Sequence, residues 1–249
     1  MNPSNTARSG RCPTVTAMLL VLSMLVSFTT PAVHAADDSP YLIAKKDFRK
    51  RIRMVSLSPV SVAPGLTLSD EYRELLEEEA TKRLSKQKLE LVPIEPYAEL
   101  RTLFAEKIGG ITNAEGVMMP GRRALVWDHA KREMRHRYPV DAFAELSLRP
   151  VTATFSDDRA EWDGVKQKVQ SSGDGFSLFG GKNYQGTIAA LSFQLAVFGR
   201  NDELLFVNRG GIEVMQAREG AKLVVLPETS LLKDPKKLKK SVQLAFKPL

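Results

Sequence analysis

The sequence predicts a single α+β domain. Its mixed sheet starts with a βαβ unit and continues as an antiparallel meander, with helices packed on the sheet and a helix at the C-terminus. Three observations predict this fold class. An apolar run over residues 52–63 is followed by a helical pattern and by a second apolar run over 88–94. Residues 142–214 contain longer apolar runs separated by short polar turns. From Asp234 onward, apolar side chains fall on one helical face and lysines on the other.

The first 35 residues have the layout of a secretory signal peptide. Two arginines make a basic start, and an apolar run extends over residues 18–28. This run is shorter than the ~20 residues of a membrane-spanning helix. Small residues precede a predicted cleavage site between Ala35 and Ala36. We expect a chain that is exported to the periplasm, has no transmembrane segment after cleavage and contacts no nucleic acid.

The only cysteine, Cys12, lies before this apolar run. A lipoprotein cysteine would follow the run, so Cys12 is badly placed for lipid attachment. The mature chain then contains no cysteine, which excludes disulfides, thiol catalysis and cysteine-bound metals. We expect residues 36–51 to be a flexible polar segment and residues 52–249 to form the single domain.

Each element of the domain is predicted from its apolar spacing and its flanking residues. Pro59 indicates a sheet edge or a bulge in the first strand, and Pro150 predicts a bulge in a later one. The first strand, first helix and second strand make a βαβ unit with parallel strands. The predicted helices cover residues 69–87, 96–108, 122–138 and 234–249, and the predicted strands cover 52–63, 88–94, 142–155, 160–169, 186–198 and 203–214.

The formal net charge is +7, and the charges are clustered. Basic residues crowd the stretches 45–53 and 233–240, whereas acidic residues dominate 70–79. Such runs are typical of solvated faces, but they also suit anionic lipid headgroups, lipopolysaccharide or an acidic partner protein. The candidate contact residues on the C-terminal helix are Lys236, Lys237, Lys239 and Lys240.

The glycine-rich stretch "GDGFSLFGGKN" at residues 173–183 is close to a phosphate-binding loop but fails its pattern. Gly175 and Gly180 have the right spacing, yet Lys182 comes one residue late, and the stretch joins two strands instead of opening a helix. The simpler interpretation is a mobile hairpin loop. Its apolar residues either tuck onto the sheet or form an exposed contact for a partner. These residues are Phe176, Leu178 and Phe179.

One helical face carries a candidate metal site. His129, Glu133 and His136 fall at i, i+4 and i+7, and two imidazoles with a carboxylate are a ligand set of catalytic zinc. Three arginines on the same helix would repel a cation, so a charged outer face with Glu–Arg pairs is the alternative. Trp162 is either a ligand platform or a core residue. No other pattern indicates catalysis, and we expect no cofactor.

Two stretches of the chain resemble a group of small bacterial envelope domains. "RMVSLSPVSVAPG" followed by "ELLEEEATKRLSKQKLELV" is similar to their first strand, helix and second strand, and "GRNDELLF" resembles one of their turns. The group comprises the N-terminal domain of TolB, the curli-secretion protein CsgG and the LpoB-type activators of penicillin-binding proteins. The resemblance covers residues 52–214 and implies a non-catalytic role in protein–protein contact or envelope assembly. Many members are lipoproteins, whereas this sequence lacks the cysteine for lipid attachment.

We therefore expect a soluble periplasmic accessory protein that binds another envelope component and is not an enzyme. Two alternatives stay open. One is a metal-dependent hydrolase that uses His129, Glu133 and His136. The other is a binder of anionic lipid or lipopolysaccharide through the basic C-terminal helix.

Overall fold

A computed structural model of the chain describes residues 39–156, 158–169, 185–219 and 222–249. The described part has the predicted fold class: helices pack on a mixed sheet that starts with a parallel unit, and the chain ends in a helix. The α-helices are α1 (Lys45–Arg51), α2 (Asp70–Ser85), α3 (Ile94–Lys107), α4 (Pro120–Arg137) and α5 (Pro235–Phe246). The strands are β1 (Met54–Leu57), β2 (Ser61–Val62), β3 (Glu90–Val92), β4 (Ala142–Ser156), β5 (Arg159–Trp162), β6 (Val165–Lys168), β7 (Gln185–Gly199), β8 (Leu204–Val214), β9 (Gln216–Glu219) and β10 (Lys222–Val225).

Two long antiparallel strands, β4 and β7, form the centre of the main sheet and pair over their whole length. β8 pairs with the other edge of β7. The free edge of β4 is shared, because β1 and β2 run parallel to its first half and β5 runs antiparallel to its last three residues. β3 extends the parallel part by pairing with β1, and β9 and β10 form a separate hairpin.

The two faces of this sheet are covered by different helices. Leu146 and Leu148 of β4 point into the larger core, which holds apolar residues of α1, α2 and α5. Phe143 points to the opposite face and packs with Leu100 of α3 and Met134 of α4. This alternation follows from the two-residue period of a strand. Because Phe143 lies at the start of β4, α3 and α4 cover only one end of the second face.

The predicted βαβ unit is confirmed. β1 and β3 pair in parallel, and α2 connects them. Ser69 caps α2, since its hydroxyl accepts a hydrogen bond from the Tyr72 N–H at 3.4 Å, and Asp70 and Glu71 occupy the first turn. Both features stabilise the positive end of the helix dipole.

The segment predicted to be flexible differs from expectation where the structure describes it. Residues 45–51 form α1, and Phe48 is buried in the larger core. The rings of Tyr41 and Phe48 pack edge-on at 5.4 Å, and Tyr41 also packs on Phe206 of β8 at 5.0 Å. Two aromatic residues anchor this mainly polar stretch, but Tyr41 lies before the helix that contains Phe48, so no helical or strand period relates them.

The extent of the first predicted strand and the bulge expected at Pro150 need correction. The strand predicted over 52–63 is two strands, with Pro59 at the interruption, and Ser58 Oγ accepts the N–H of Leu146 there at 3.1 Å. The prediction of a bulge at Pro150 is wrong, since β4 and β7 pair there without a register shift. The even-numbered residues of β4 direct their backbone groups toward β2 and β5. Pro150 lies between the last residue paired with β2 and the first paired with β5, so its missing N–H leaves no bond unmade.

The strand predicted over 160–169 is instead a hairpin of β5 and β6. Its two-residue turn is Asp163-Gly164, and both residues have positive φ, 37° and 77°. That backbone matches the twist of a tight hairpin, for which Asp-Gly is a preferred pair. The hairpin folds over β8: Gly211 donates its N–H to Asp163 O at 3.0 Å, and Trp162 donates to Leu191 O at 3.1 Å. Trp162 is therefore a core residue.

Candidate functional site

Two of the three residues of the predicted metal site are engaged in other contacts. The His129 ring stacks on Phe104 with centroids 5.4 Å apart, and Glu133 accepts a hydrogen bond from Arg137 Nε at 2.8 Å. His136 is exposed. Within the described residues, no group of three or more histidines, cysteines, aspartates or glutamates could hold a metal ion. The hydrolase alternative remains a hypothesis without a preformed ligand set in that part of the chain.

The predicted loop contact lies outside the described residues. This applies to Phe176, Leu178 and Phe179 and to the whole glycine-rich stretch 173–183 around them. Over the part of the chain that is described, no helix is long and apolar enough to cross a membrane.

The lysines of α5 divide into two groups. Lys237 forms an ion pair with Glu213 of β8, with Nζ and Oε2 3.2 Å apart. Lys236, Lys239 and Lys240 are exposed, while Leu238 and other apolar residues of the helix enter the larger core. Three of the four predicted lysines are therefore on the surface, and the fourth holds the helix to the sheet.

Two neighbouring grooves bring the two basic stretches together. One groove, of about 430 Å³, lies between α1 and the end of α2, and the other, of about 440 Å³, lies between the end of α2 and α5. Lys86 and Gln87 line both grooves. We call the cations of these grooves the basic face; they are Arg49, Arg53, Arg83, Lys86, Lys88, Lys240 and Lys247.

The charge of the basic face is largely uncompensated. No aspartate or glutamate among the described residues lines either groove. Arg83 is paired with Glu79 at 2.8 Å, and Arg49 donates to Leu249 O at 3.1 Å. The other five cations have no carboxylate of Asp or Glu within ion-pair distance in the described chain. Like charges gathered on one face attract an anionic partner and raise its association rate.

Part of the stretch 45–53 is used by the fold itself. Lys45 Nζ donates to Pro248 O at 2.5 Å, and Arg51 pairs with Glu203 at 2.6 Å. Desolvation opposes ionisation of Glu203, but hydrogen bonds from the backbone N–H groups of Glu203 and Asn201, and then the salt bridge with Arg51, lower its pKa. Only part of this stretch, including Arg53, therefore contributes to the basic face.

A second concave site lies on the other face of the sheet. We call it the α4 cleft; it has a volume of about 600 Å³ and lies beside α4. It adjoins a groove of about 500 Å³ over β4 and β7, and Pro64, Arg123 and Glu145 line both. The cleft occupies the part of this face that α3 and α4 leave uncovered. Its apolar walls are Pro64, Met118, Pro120, Ala124 and Trp127.

The floor of the α4 cleft is an ion-pair network. Lys131 is buried, and its Nζ lies 2.7 Å from Glu145 Oε1 and 3.4 Å from Asp202 Oδ1. Arg135 contacts the other oxygen of Asp202 at 3.4 Å. Asp128, at the side, is paired with Arg132 at 2.8 Å. Each carboxylate that lines the cleft is thus matched by a cation.

Two further arginines contact one tryptophan ring. Arg101 Cζ lies 3.5 Å from the centroid of Trp127, and Arg123 Cζ lies 4.9 Å from it. Neither arginine has a carboxylate within ion-pair distance among the described residues. Arg101 Nε and Nη1 and Tyr97 Oη are buried without a hydrogen-bond partner in the same set. Burial lowers the pKa of Arg101 to about 10 and raises the pKa of Tyr97, because it disfavours each charged form.

Comparison with protein-family models and with curated proteins finds no match. The resemblance to the TolB, CsgG and LpoB domains therefore remains a prediction from the sequence pattern.

Sequence reasoning missed most of both sites. For the α4 cleft one signal was available, because Arg123 and Trp127 are four residues apart on a helix and so share a face. Arg101 belongs to another helix, and no local spacing relates it to Trp127. For the basic face, Lys86 and Lys88 follow a helix whose C-terminal end favours cations, which explains them locally without indicating a site.

Proposed function

We propose that this chain is an exported, non-catalytic accessory protein that binds an acidic segment of another envelope protein through its basic face. The supporting observation is that Lys86 lines both grooves and so joins cations of the stretches around 45–53 and 233–240 into one face. No described Asp or Glu lines these grooves. Neither stretch alone makes such a surface, since each contributes cations to only one of the two grooves.

The shape of the basic face favours a protein segment over a lipid surface. Phe48 and Ile52 form an apolar floor in one groove, and Phe246 does so in the other, so a partner side chain can enter between the cations. The outer side of α5 presents Lys236, Lys239 and Lys240 without an exposed large apolar neighbour among the described residues. Stable membrane attachment usually needs an inserted apolar group in addition to basic charge.

Export is supported by the pattern of the first 35 residues. The test is N-terminal sequencing of the chain isolated from the periplasmic fraction of cells that make it. We expect the mature chain to begin at Ala36. A chain that keeps Met1 and stays in the cytoplasm would contradict export.

Site-specific photo-crosslinking tests the binding surface. A photoreactive residue at position 87 or 243 lies in the grooves, and one at Lys222 lies on the separate β9–β10 hairpin. We expect positions 87 and 243, but not 222, to yield a discrete adduct with an envelope protein. The double variant Lys86→Glu/Lys240→Glu should lower the binding of that protein by about tenfold. Lys222→Glu is the matched control.

The same experiment separates this proposal from the lipid alternative. Adducts with lipid or lipopolysaccharide alone, together with salt-sensitive binding to anionic vesicles, would favour that alternative and reject a protein partner. Adducts of equal yield from all three positions would reject the basic face as a specific site. Binding that survives high salt would also argue against it, because exposed charges are screened within about 8 Å at physiological ionic strength.

The hydrolase alternative has its own test. Elemental analysis of the purified mature chain, with and without His129→Ala, reports on bound metal. Stoichiometric zinc that is lost in the variant would favour the hydrolase and would require a ligand from residues outside the described ranges.

A further inference from the structure

We propose that the α4 cleft is a second binding site, specific for a small organic acid that carries an apolar body and one carboxylate. The carboxylate would be held by Arg123 and the apolar body would lie against Trp127 and Met118. This site is independent of the basic face, since α4 and α5 lie on opposite faces of the sheet.

The charged side chains around the α4 cleft favour an anionic ligand. The cleft's carboxylates are paired: Glu145 and Asp202 with Lys131 and Arg135, and Asp128 with Arg132. Neither Arg101 nor Arg123 has a carboxylate within ion-pair distance in the described chain, so the surroundings of Trp127 carry two cations without a direct partner. Glu145 and Glu77 act on Arg101 only through longer-range attraction. A carboxylate that accepts the N–H groups of an arginine in a partly enclosed site forms a charge-assisted pair, which is stronger than a neutral hydrogen bond.

Trp127 contacts both arginines, and the nearer one, Arg101, is stacked on the ring. The guanidinium of Arg101 lies 3.5 Å from the centroid of Trp127, which is stacking distance. Stacking occupies the face of a guanidinium, and its N–H groups point outward in its plane. Arg123, which also donates to Met118 Sδ at 3.5 Å, lines the cleft and can reach a ligand directly. Arg101 is more deeply placed and has unpaired donors at Nε and Nη1. We therefore assign direct contact to Arg123 and a supporting charge to Arg101.

The volume and the apolar lining of the α4 cleft favour a ligand with a small apolar body. A volume of about 600 Å³ falls within the range of small-molecule pockets. The wall is mainly apolar, with Pro64, Met118, Pro120 and Trp127 around a few charged groups. An apolar ligand body would bury this wall. An uncharged polar ligand would leave both arginines without a carboxylate.

The experiment compares 3-phenylpropionate with its uncharged counterpart 3-phenylpropan-1-ol on the mature chain. Calorimetry measures affinity, and the indole N–H signals of the two tryptophans report the place of binding. We expect the acid to bind at least about tenfold more tightly than the alcohol and to shift the Trp127 signal but not that of Trp162, which is buried and bonded to Leu191 O.

Variants of neighbouring arginines test the assignment. Arg123→Gln should lower the affinity for the acid by about tenfold and leave that for the alcohol unchanged, and Arg123→Lys should fall between. Arg122→Gln is the matched control, since Arg122 is exposed and does not line the cleft. Equal affinity for acid and alcohol, an unchanged acid affinity in Arg123→Gln, or no saturable acid binding below about 10 mM would overturn the proposal. If Arg123→Gln fails to fold, the unaltered chain decides: acid binding must weaken with salt while alcohol binding does not.

Discussion

Gly210 of β8 couples the stability of the fold to the basic face, and its replacement by alanine should be strongly destabilising. A Cβ at this position would lie 2.0 Å from the backbone oxygen of Ser241 and 2.9 Å from Leu244 Cβ, both on α5. Contacts of a Cβ below 3.0 Å are essentially never seen, so α5 would have to withdraw by at least the 1.0 Å difference. Gly210 does not have positive φ, so the cost is steric alone.

The magnitude follows from what α5 buries. Leu238, Val242, Ala245 and Phe246 all lie in the larger core, and withdrawing the helix loosens each of their contacts. Overpacking of this kind costs typically 1–3 kcal/mol, and the clash with a backbone atom places Gly210→Ala at about 3 kcal/mol. For a chain of this size the melting temperature should fall by about 6–12 °C.

Urea denaturation followed by circular dichroism measures this loss. Gly121→Ala is the matched control, because a Cβ there meets no described atom within 4 Å, and a glycine-to-alanine change in a helix is neutral or stabilising by up to about 1 kcal/mol. Gly210→Ala should also weaken partner binding at the basic face, since α5 forms one wall of a groove. An unfolding free energy within about 0.5 kcal/mol of the parent chain would refute the close packing of α5 on β8.

Three further substitutions probe other parts of the fold. Asp141→Ala should lower the free energy of unfolding by about 1–2 kcal/mol, measured in urea, because one carboxylate oxygen accepts two backbone N–H groups at the start of β1. Glu213→Ala should cost about 2–3 kcal/mol, since it removes the buried partner of Lys237, and Glu213→Gln should cost less. Burial raises the pKa of Glu77 above 4.5, so the folded state binds its proton more tightly. Stability should therefore fall as pH rises through that raised pKa, and Glu77→Gln should remove this fall in urea titrations at several pH values.

The contacts of Glu77 show what its half-buried carboxylate does in the fold. Its Oε1 accepts the N–H of Val60 at 2.8 Å, at the interruption between β1 and β2. Arg73 contacts the same segment by donating to Val60 O. The side chains of α2 thus satisfy backbone groups that a broken strand leaves unpaired, and a glutamine at position 77 preserves the acceptor.

Helices and long strands were predictable because their signals are local. Ser69 and the spacing of apolar residues placed α2, and Pro120 opens α4 close to the predicted start. The end of α3 was correct as well, since Gly109 and Gly110 both adopt positive φ, which glycine accepts without strain. In these elements the preference of each residue and the tertiary contacts agree.

The errors arose where distant parts of the chain decide local structure. The β5–β6 hairpin replaced a predicted single strand because Asp163-Gly164 forms a tight turn whose hairpin then packs on Gly211. α1 formed in a stretch predicted to be flexible because Phe48 and Tyr41 pack on Phe206, which is more than 150 residues away. Neither outcome follows from a window of neighbouring residues.

The sequence by itself determined the fold class, the βαβ unit and the existence of two basic stretches, since periodicity, capping and charge are properties of neighbouring residues. The tertiary structure alone decided which of those charges are free. It paired Lys237 with Glu213 and Arg51 with Glu203, and it brought Arg49, Arg53 and Lys240 to the grooves that share Lys86. It also placed Arg101 against Trp127 from another helix. Charge compensation depends on distances of a few ångströms between atoms far apart in the chain, and only the packed fold sets those distances.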